Sequence, residues 1–153
     1  MFTGIVQSQA EVISINIANE LCRLVISGEE SLIMSLDLEA RIAVNGVCLT
    51  VVEFTKQGIG KAIIAFDVID ETLKVTNLGL LTLHSQVNVE RSLKIGDEIG
   101  GHMVSGHIHC QALLIEKKST TENCAMYFQC EEQWQKYILP KGFITINGVS
   151  LTV

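Results

Sequence analysis

Two small polar pairs recur in one apolar frame: Cys48 with Thr50 inside NGVCLTV, and Ser150 with Thr152 inside NGVSLTV. If the chain leaves each Asn-Gly turn as a strand, its side chains alternate with period two. Each pair then shares one face, while Leu49 and Leu151 take the other. A thiol or hydroxyl next to a second hydroxyl offers donors and acceptors to a flat polar ligand laid against the strand. The same small residues would also fill a barrel interior, and both readings stand at this point. Histidine supplies the other candidate chemistry. His84 stands alone, whereas His102, His107 and His109 crowd into GGHMVSGHIH. On a strand, His107 and His109 would share a face, as a metal site requires. No carboxylate lies at ligand spacing, so no metal is expected. An imidazole that moves a proton or holds a ligand near neutral pH is the better expectation.

Both polar pairs belong to a duplication. Residues 1–51 align with 103–153 without a gap and are identical at sixteen positions, including Gly4, Cys22, Asn45, Gly46 and Thr50 of the first copy. A repeated unit is the economical explanation. The alignment sets Ile5 opposite His107 and Cys48 opposite Ser150. The first copy is thus apolar and thiol-bearing where the second offers imidazole and hydroxyl. Two like sites with unequal chemistry suit a reaction in which two molecules of one substrate play different parts. Cys48 as a covalent nucleophile would need a partner base that the sequence does not identify. Gly79, Gly100 and Gly101 lack the strand-GxGxxG-helix or GxxxxGK[ST] context of a phosphate loop.

Short β-type runs must position these residues. Ile5–Val6, Ala10–Ile15, Cys22–Ile26, Arg41–Val44, Cys48–Phe54, Ala62–Val68 and Val87–Glu90 are rich in Val, Ile, Thr and Phe, the pattern of a sandwich or barrel. Asn45-Gly46 and Asn147-Gly148 are hairpin signals. A short helix is expected after Asp70 as its cap, and others over Glu29–Leu36 and Glu131–Ile138, the last stopped by Pro140. Asp67 and Glu71 flank the first of these, where capping and solvation would account for them.

The chain has 153 residues, 48% hydrophobic and 18% charged, enough for a packed core. A net charge of −6 without a basic patch argues against a nucleic-acid partner. No basic leader and no apolar run of about 20 residues is visible, so neither secretion nor a membrane is expected. Five cysteines without a CxxC pair predict reduced thiols and a cytoplasmic location.

Taken in order, MFTGIV, NGVCLTV, FDVIDETLKVTNLG, VNVERSLKIGDEIGGHMVSGHI and YILPKGFITINGVSLTV resemble riboflavin synthase of the trimeric two-barrel type, over the whole chain. The resemblance implies an all-β fold of tandem six-stranded Greek-key barrels, with residues 1–97 as the first and 98–153 as part of the second. It implies a dismutation of two 6,7-dimethyl-8-ribityllumazine molecules to riboflavin and 5-amino-6-ribitylamino-uracil, without a cofactor. It also implies a homotrimer with active sites between subunits. Carried over by motif, the first substrate-binding set is Gly4, Ile5, Val6, Cys48, Leu49 and Thr50, with Asp67, Val68, Ile69, Asp70, Glu71 and Thr72. The second is Gly106, His107, Ile108, Ser150, Leu151 and Thr152, with Lys141 reaching across a subunit boundary. His107, Ser150 and Cys48 are the implied catalytic residues.

The family pattern continues past the second NGV hairpin with counterparts of FDVIDETLKVTNLG and VNVE and a C-terminal helix. The second barrel is therefore expected to be incomplete within these residues, the remainder either lying on a longer chain or lost by truncation, with the longer chain the leading expectation. Two rivals remain: a non-catalytic lumazine- or flavin-binding antenna protein with the same duplication, and a flavin barrel of the ferredoxin-reductase class. The latter would need an Arg-x-Tyr-Ser-type flavin motif and a nicotinamide domain, which do not occur here.

Overall fold

The computed structural model describes residues 1–153. Its local order starts at the two Asn-Gly turns. Asn45 and Gly46 take φ of 50° and 83°, and Asn147 and Gly148 take 51° and 83°. Consecutive positive φ values are what a two-residue hairpin needs to match strand twist. The first turn joins β3 (Arg41–Val44) to β4 (Val47–Lys56), and the second joins β9 (Phe143–Ile146) to β10 (Val149–Thr152).

The first unit closes into a barrel. Its strands β1 (Ser8–Ala18), β2 (Leu21–Glu29), β3, β4, β5 (Lys61–Ile69) and β6 (Gln86–Arg91) run in the spatial order β1-β2-β5-β4-β3-β6, all pairs antiparallel. This is the all-β, Greek-key barrel that the resemblance implies. Closure leaves no free edge. Val12, Leu24, Ile26, Ile64, Phe66 and Val89 point inward and are fully buried or nearly so. Each such side chain contributes about 1.5–3 kcal/mol by leaving water. The core draws its buried members entirely from residues Ala10 to Val89, and Ile108 is the one second-unit residue packed against it.

Some local expectations are corrected. Ile5–Val6 forms no strand, whereas β1 runs well beyond the expected Ala10–Ile15. A register shift between Val12 and Ser14 breaks its alternation, which hides its length in the sequence. The second copy repeats this irregularity between Leu114 and Glu116. Helix α1 (Asp70–Val75) has Ile69 at its N-cap position, with no side-chain cap; Asp70 is its first helical residue and pairs with Lys74 instead. Glu30–Ile33 is a single 3-10 turn, and α2 spans only Glu132–Gln135.

The second barrel is incomplete. Strands β7 (Leu113–Ser119) and β8 (Cys124–Gln129) form one two-stranded sheet, and β9 with β10 forms another. By the repeat alignment they correspond to β1 to β4. In the first unit, β5 and β6 are the strands that bridge those two hairpins.

The two units are stitched by contacts that recur with the units exchanged. Phe2 bridges Val104, its own counterpart, through hydrogen bonds of 2.9 and 3.0 Å. The Cys48 N–H donates to the Gly106 carbonyl at 2.9 Å, and the Ser150 N–H donates to the Gly4 carbonyl at 2.8 Å. The Asn-Gly turns also meet, since a Cβ on Gly46 would lie 2.7 Å from the Gly148 nitrogen.

Candidate functional site

Strand alternation resolves the first ambiguity. Along β4, Val47, Leu49 and Val51 are buried while Cys48 and Thr50 are half-buried on the outer face. The polar pair therefore does not fill the barrel interior. Ser150 is likewise half-buried on β10, and Thr152 is exposed at its end. Leu49 belongs to the core, and Leu151 is half-buried.

The loops that meet these strands come from the opposite unit. Sequence reasoning groups Gly4, Ile5 and Val6 with Cys48, and Gly106, His107 and Ile108 with Ser150. The structure instead sets Gly4 against Ser150 and Gly106 against Cys48. The reason is the crossing of the two leading segments, which no local pattern records. Ile5 is about half exposed and approaches Gly101, Val6 is half-buried, and His107 is exposed with its N–H donated to the Ser105 hydroxyl at 3.1 Å. The first unit repeats that small turn, with the Ile5 N–H donated to the Thr3 hydroxyl at 3.3 Å. Residues 105–112 form no strand, so His107 and His109 do not alternate on one. His109 instead meets Trp134 edge-on at 5.8 Å. No group of three or more His, Cys, Asp and Glu side chains is gathered in metal-holding geometry.

The stretch from Asp67 to Thr72 splits by direction. Val68 points into the core, at 1% exposure, so only its backbone can meet a ligand. The Asp67 carboxylate is held on the outer face by a two-pronged bond from Arg23, at 2.5 and 3.0 Å. Ile69 and Glu71 are exposed, and the Thr72 carbonyl accepts the Thr76 hydroxyl at 2.6 Å. Lys141 is exposed, has φ of 62°, and is anchored by its N–H to the Val153 carbonyl at 3.0 Å.

Arg41 and Glu90 escaped sequence reasoning at the site, and His102, a candidate there, gains a partner that the sequence did not reveal. The His102 Nδ1 lies 2.7 Å from the Ser150 Oγ, and its ring stacks on Phe143 with centroids 4.2 Å apart and planes 10° off parallel. Beside Cys48, the Arg41 guanidinium donates to the sulfur at 3.7 Å. Glu90, only 3% exposed, accepts from the Thr3 N–H at 2.6 Å, the Thr3 hydroxyl at 2.7 Å and the Gly4 N–H at 3.1 Å. An acid ending the alternating stretch VNVE was its one signal in the sequence.

A hollow of about 170 Å³ lies between Arg23, Glu53 and Phe54, and one of about 270 Å³ lies between Ile15, Cys22, Leu73 and Leu78. Neither touches Cys48 or Ser150. Burial first, and the nearby Asp67 charge second, push the Cys22 thiol above its ordinary value of 9.0. An acid held neutral by folding gives stability that is fully present below its unfolded pKa and is lost as pH rises past it. Stability should therefore fall above about pH 9, less so in Cys22→Ala, when unfolding is followed across alkaline pH. A thiol reagent at pH 8 should label exposed Cys124 well before Cys22.

Comparison with known proteins gives concordant matches. The family model described as lumazine binding domain matches residues 3–92 and 105–153. Riboflavin synthase of Escherichia coli (strain K12) is 43% identical over 154 residues, covering 100% of this chain and 70% of that protein. Riboflavin synthase of Brucella abortus (strain 2308) is 35% identical over 155 residues, covering 100% of this chain and 75% of its own length. Among solved structures, LumP complexed with riboflavin superposes with a TM-score of 0.87 at 26% identity, covering 99% of this chain and 79% of that one. LumP complexed with 6,7-dimethyl-8-(1'-D-ribityl) lumazine gives 0.84 at 24% identity, covering 99% and 78%, a likeness of fold.

Proposed function

This chain belongs to the lumazine-binding domain family and is of the riboflavin synthase type, and on that premise we propose that it serves the dismutation of two 6,7-dimethyl-8-ribityllumazine molecules. One molecule gives up a four-carbon unit and leaves as 5-amino-6-ribitylamino-uracil. The other accepts it and leaves as riboflavin, so the pair balances without an external oxidant. The observation that carries this reading is the exchanged pair of sites. Gly106 against Cys48 and Gly4 against Ser150 form one frame twice, with thiol chemistry in one and hydroxyl and imidazole chemistry in the other.

In this reading Cys48 and Thr50 bind the first lumazine, with the backbone of Asp67 to Thr72. Ser150, Leu151 and Thr152 bind the second, with Lys141 serving a site on a neighbouring subunit of a homotrimer. His107 is exposed and takes a proton from the acidic 7-methyl group, while Ser150 or Cys48 orients the attacking group. Positioning two substrates face to face supplies much of the acceleration. The unit boundaries are proposed at 1–97 and 98–153, and the location as the cytoplasm. No helix is long and apolar enough to cross a membrane.

The test is incubation with 6,7-dimethyl-8-ribityllumazine, following riboflavin by absorbance. His107→Ala and Ser150→Ala should each lower turnover by about 10²-fold, and Ile5→Ala and Cys48→Ala by clearly less. Equal losses in all four would count against unequal roles. The second reading, a binding protein without turnover, is favoured by the LumP likeness. Tight fluorescent lumazine binding with no riboflavin formed would establish it instead.

A further inference from the structure

Glu90 is a buried carboxylate with no cation beside it. Its salt-bridge partners are none, and its charge is met by three donors from two successive residues, Thr3 and Gly4. A carboxylate so buried is costly unless donors surround it, and charge-assisted bonds of this length are strong. The neighbouring Arg91 does not neutralise it, because its guanidinium is spent on the Met34 and Ser35 carbonyls. The arrangement fixes the chain's leading segment to β6 from a distance of 86 and 87 residues along the sequence.

What that segment holds is the second site. The Thr3 carbonyl accepts the His102 N–H at 2.9 Å, and the Gly4 carbonyl accepts the Ser150 N–H at 2.8 Å. Those two residues then face each other, with the His102 Nδ1 at 2.7 Å from the Ser150 Oγ and Phe143 behind the imidazole. We propose that Glu90 is the positioning residue of the second site: through Thr3 and Gly4 it sets the spacing of His102 and Ser150, and His102 in turn fixes the direction of the Ser150 hydroxyl. This rests on the reading that Ser150 serves substrate there. Glu90 touches neither substrate nor Ser150 and acts only through the strap. An error of about 1 Å at a reacting centre costs up to about 10²-fold in rate, so a strap of this kind has a measurable consequence. The first site is held otherwise, with Arg41 beside Cys48.

The experiment uses the full chain with Glu90→Gln, Thr3→Val and Thr3→Ser, each alone and combined with Ser150→Ala. Glu90→Gln turns one acceptor oxygen into a donor facing donors, and Thr3→Val removes one of the three bonds while keeping the backbone. Both should lower kcat by about tenfold with KM moving less than about twofold, and Thr3→Ser, which keeps the hydroxyl, should recover most of it. In the Ser150→Ala background the same changes should add almost nothing, since groups acting as a unit are non-additive. Full additivity in that background overturns the proposal. Should Glu90→Gln fail to fold, Thr3→Val decides alone. His102 imidazole resonances, followed by NMR through a pH titration with no lumazine present, should move in Thr3→Val and return in Thr3→Ser. Unmoved resonances overturn the strap even if the protein proves to bind lumazine without turning it over. Absence of riboflavin from the wild type, with the His102 shifts as expected, would sink the catalytic reading and leave the strap supported.

Discussion

Replacing Gly4 by alanine is expected to break the second site and to lower the stability of the whole chain. Gly4 sits at φ +72°, and a Cβ there would lie 2.5 Å from the Ser150 Cβ and 3.0 Å from the Ser150 nitrogen. The left-handed conformation alone costs an alanine about 1–2 kcal/mol. The obstructing atoms are a backbone nitrogen and the carbon attached to the backbone, so no flexible side chain can swing aside. Relief requires the strap and β10 to part, which breaks the Gly4–Ser150 hydrogen bond. Overpacking adds about 1–3 kcal/mol. The midpoint of thermal unfolding should fall by about 5 °C or more, and lumazine affinity should weaken at least tenfold (about 1.4 kcal/mol), read by fluorescence titration. Gly106→Ala should behave alike at the first site, where the added carbon would meet the Cys48 Cβ at 2.8 Å and the Phe2 ring at 2.9 Å. Wild-type melting and binding in both variants would refute this account of the close approach.

Phe66→Ala should produce a larger loss of stability. The Phe66 side chain is 0% exposed and stands on β5 opposite Leu24 of β2 and Val51 of β4, themselves buried. A closed barrel cannot collapse readily into the space vacated, so the loss is the transfer energy plus a cavity, about 3–5 kcal/mol. A domain of this size has about 5–15 kcal/mol in total, and the second unit lends the core only partly buried Ile108. The urea midpoint should drop by roughly a third or more with little change in slope, and Phe66→Leu should recover most of the difference. A cost below about 1 kcal/mol would show that Phe66 is not central to the barrel.

How far the sequence reveals this molecule depends on whether a feature is local. The hairpins could be read from Asn45-Gly46 and Asn147-Gly148, because turn chemistry is carried by the two residues that make the turn. That Cys48 and Thr50 share a face follows from alternation next to that turn, whereas the burial of Val47, Leu49 and Val51 is what makes that face the outer one. β1 is less visible, since its bulge at Ile13 changes which parity faces inward. The HxH strand fails because the chain turns at Gly106, with φ of 77°. Asp70 resembles a cap by composition, yet the helix begins one residue too early for it to act as one. The crossing of Gly4 to Ser150, and of Glu90 to Thr3, joins residues far apart in the chain. Nothing local announced either, and motif order alone paired Gly4 with Cys48 instead.

The bridge between Phe2 and Val104 has one more consequence. A residue that pairs antiparallel with its own repeat counterpart lies on a two-fold axis, and the Cys48–Gly106 and Ser150–Gly4 bonds are mates across that axis. Self-matching contacts of this kind define an isologous interface, the commonest way that two identical proteins associate. The chain therefore carries within itself the geometry of a symmetric dimer. A single ancestral unit would have needed a second copy of itself to complete either site. Joined in one chain, the two halves are free to differ, and here one carries a thiol where the other carries a serine, and an isoleucine where the other carries a histidine.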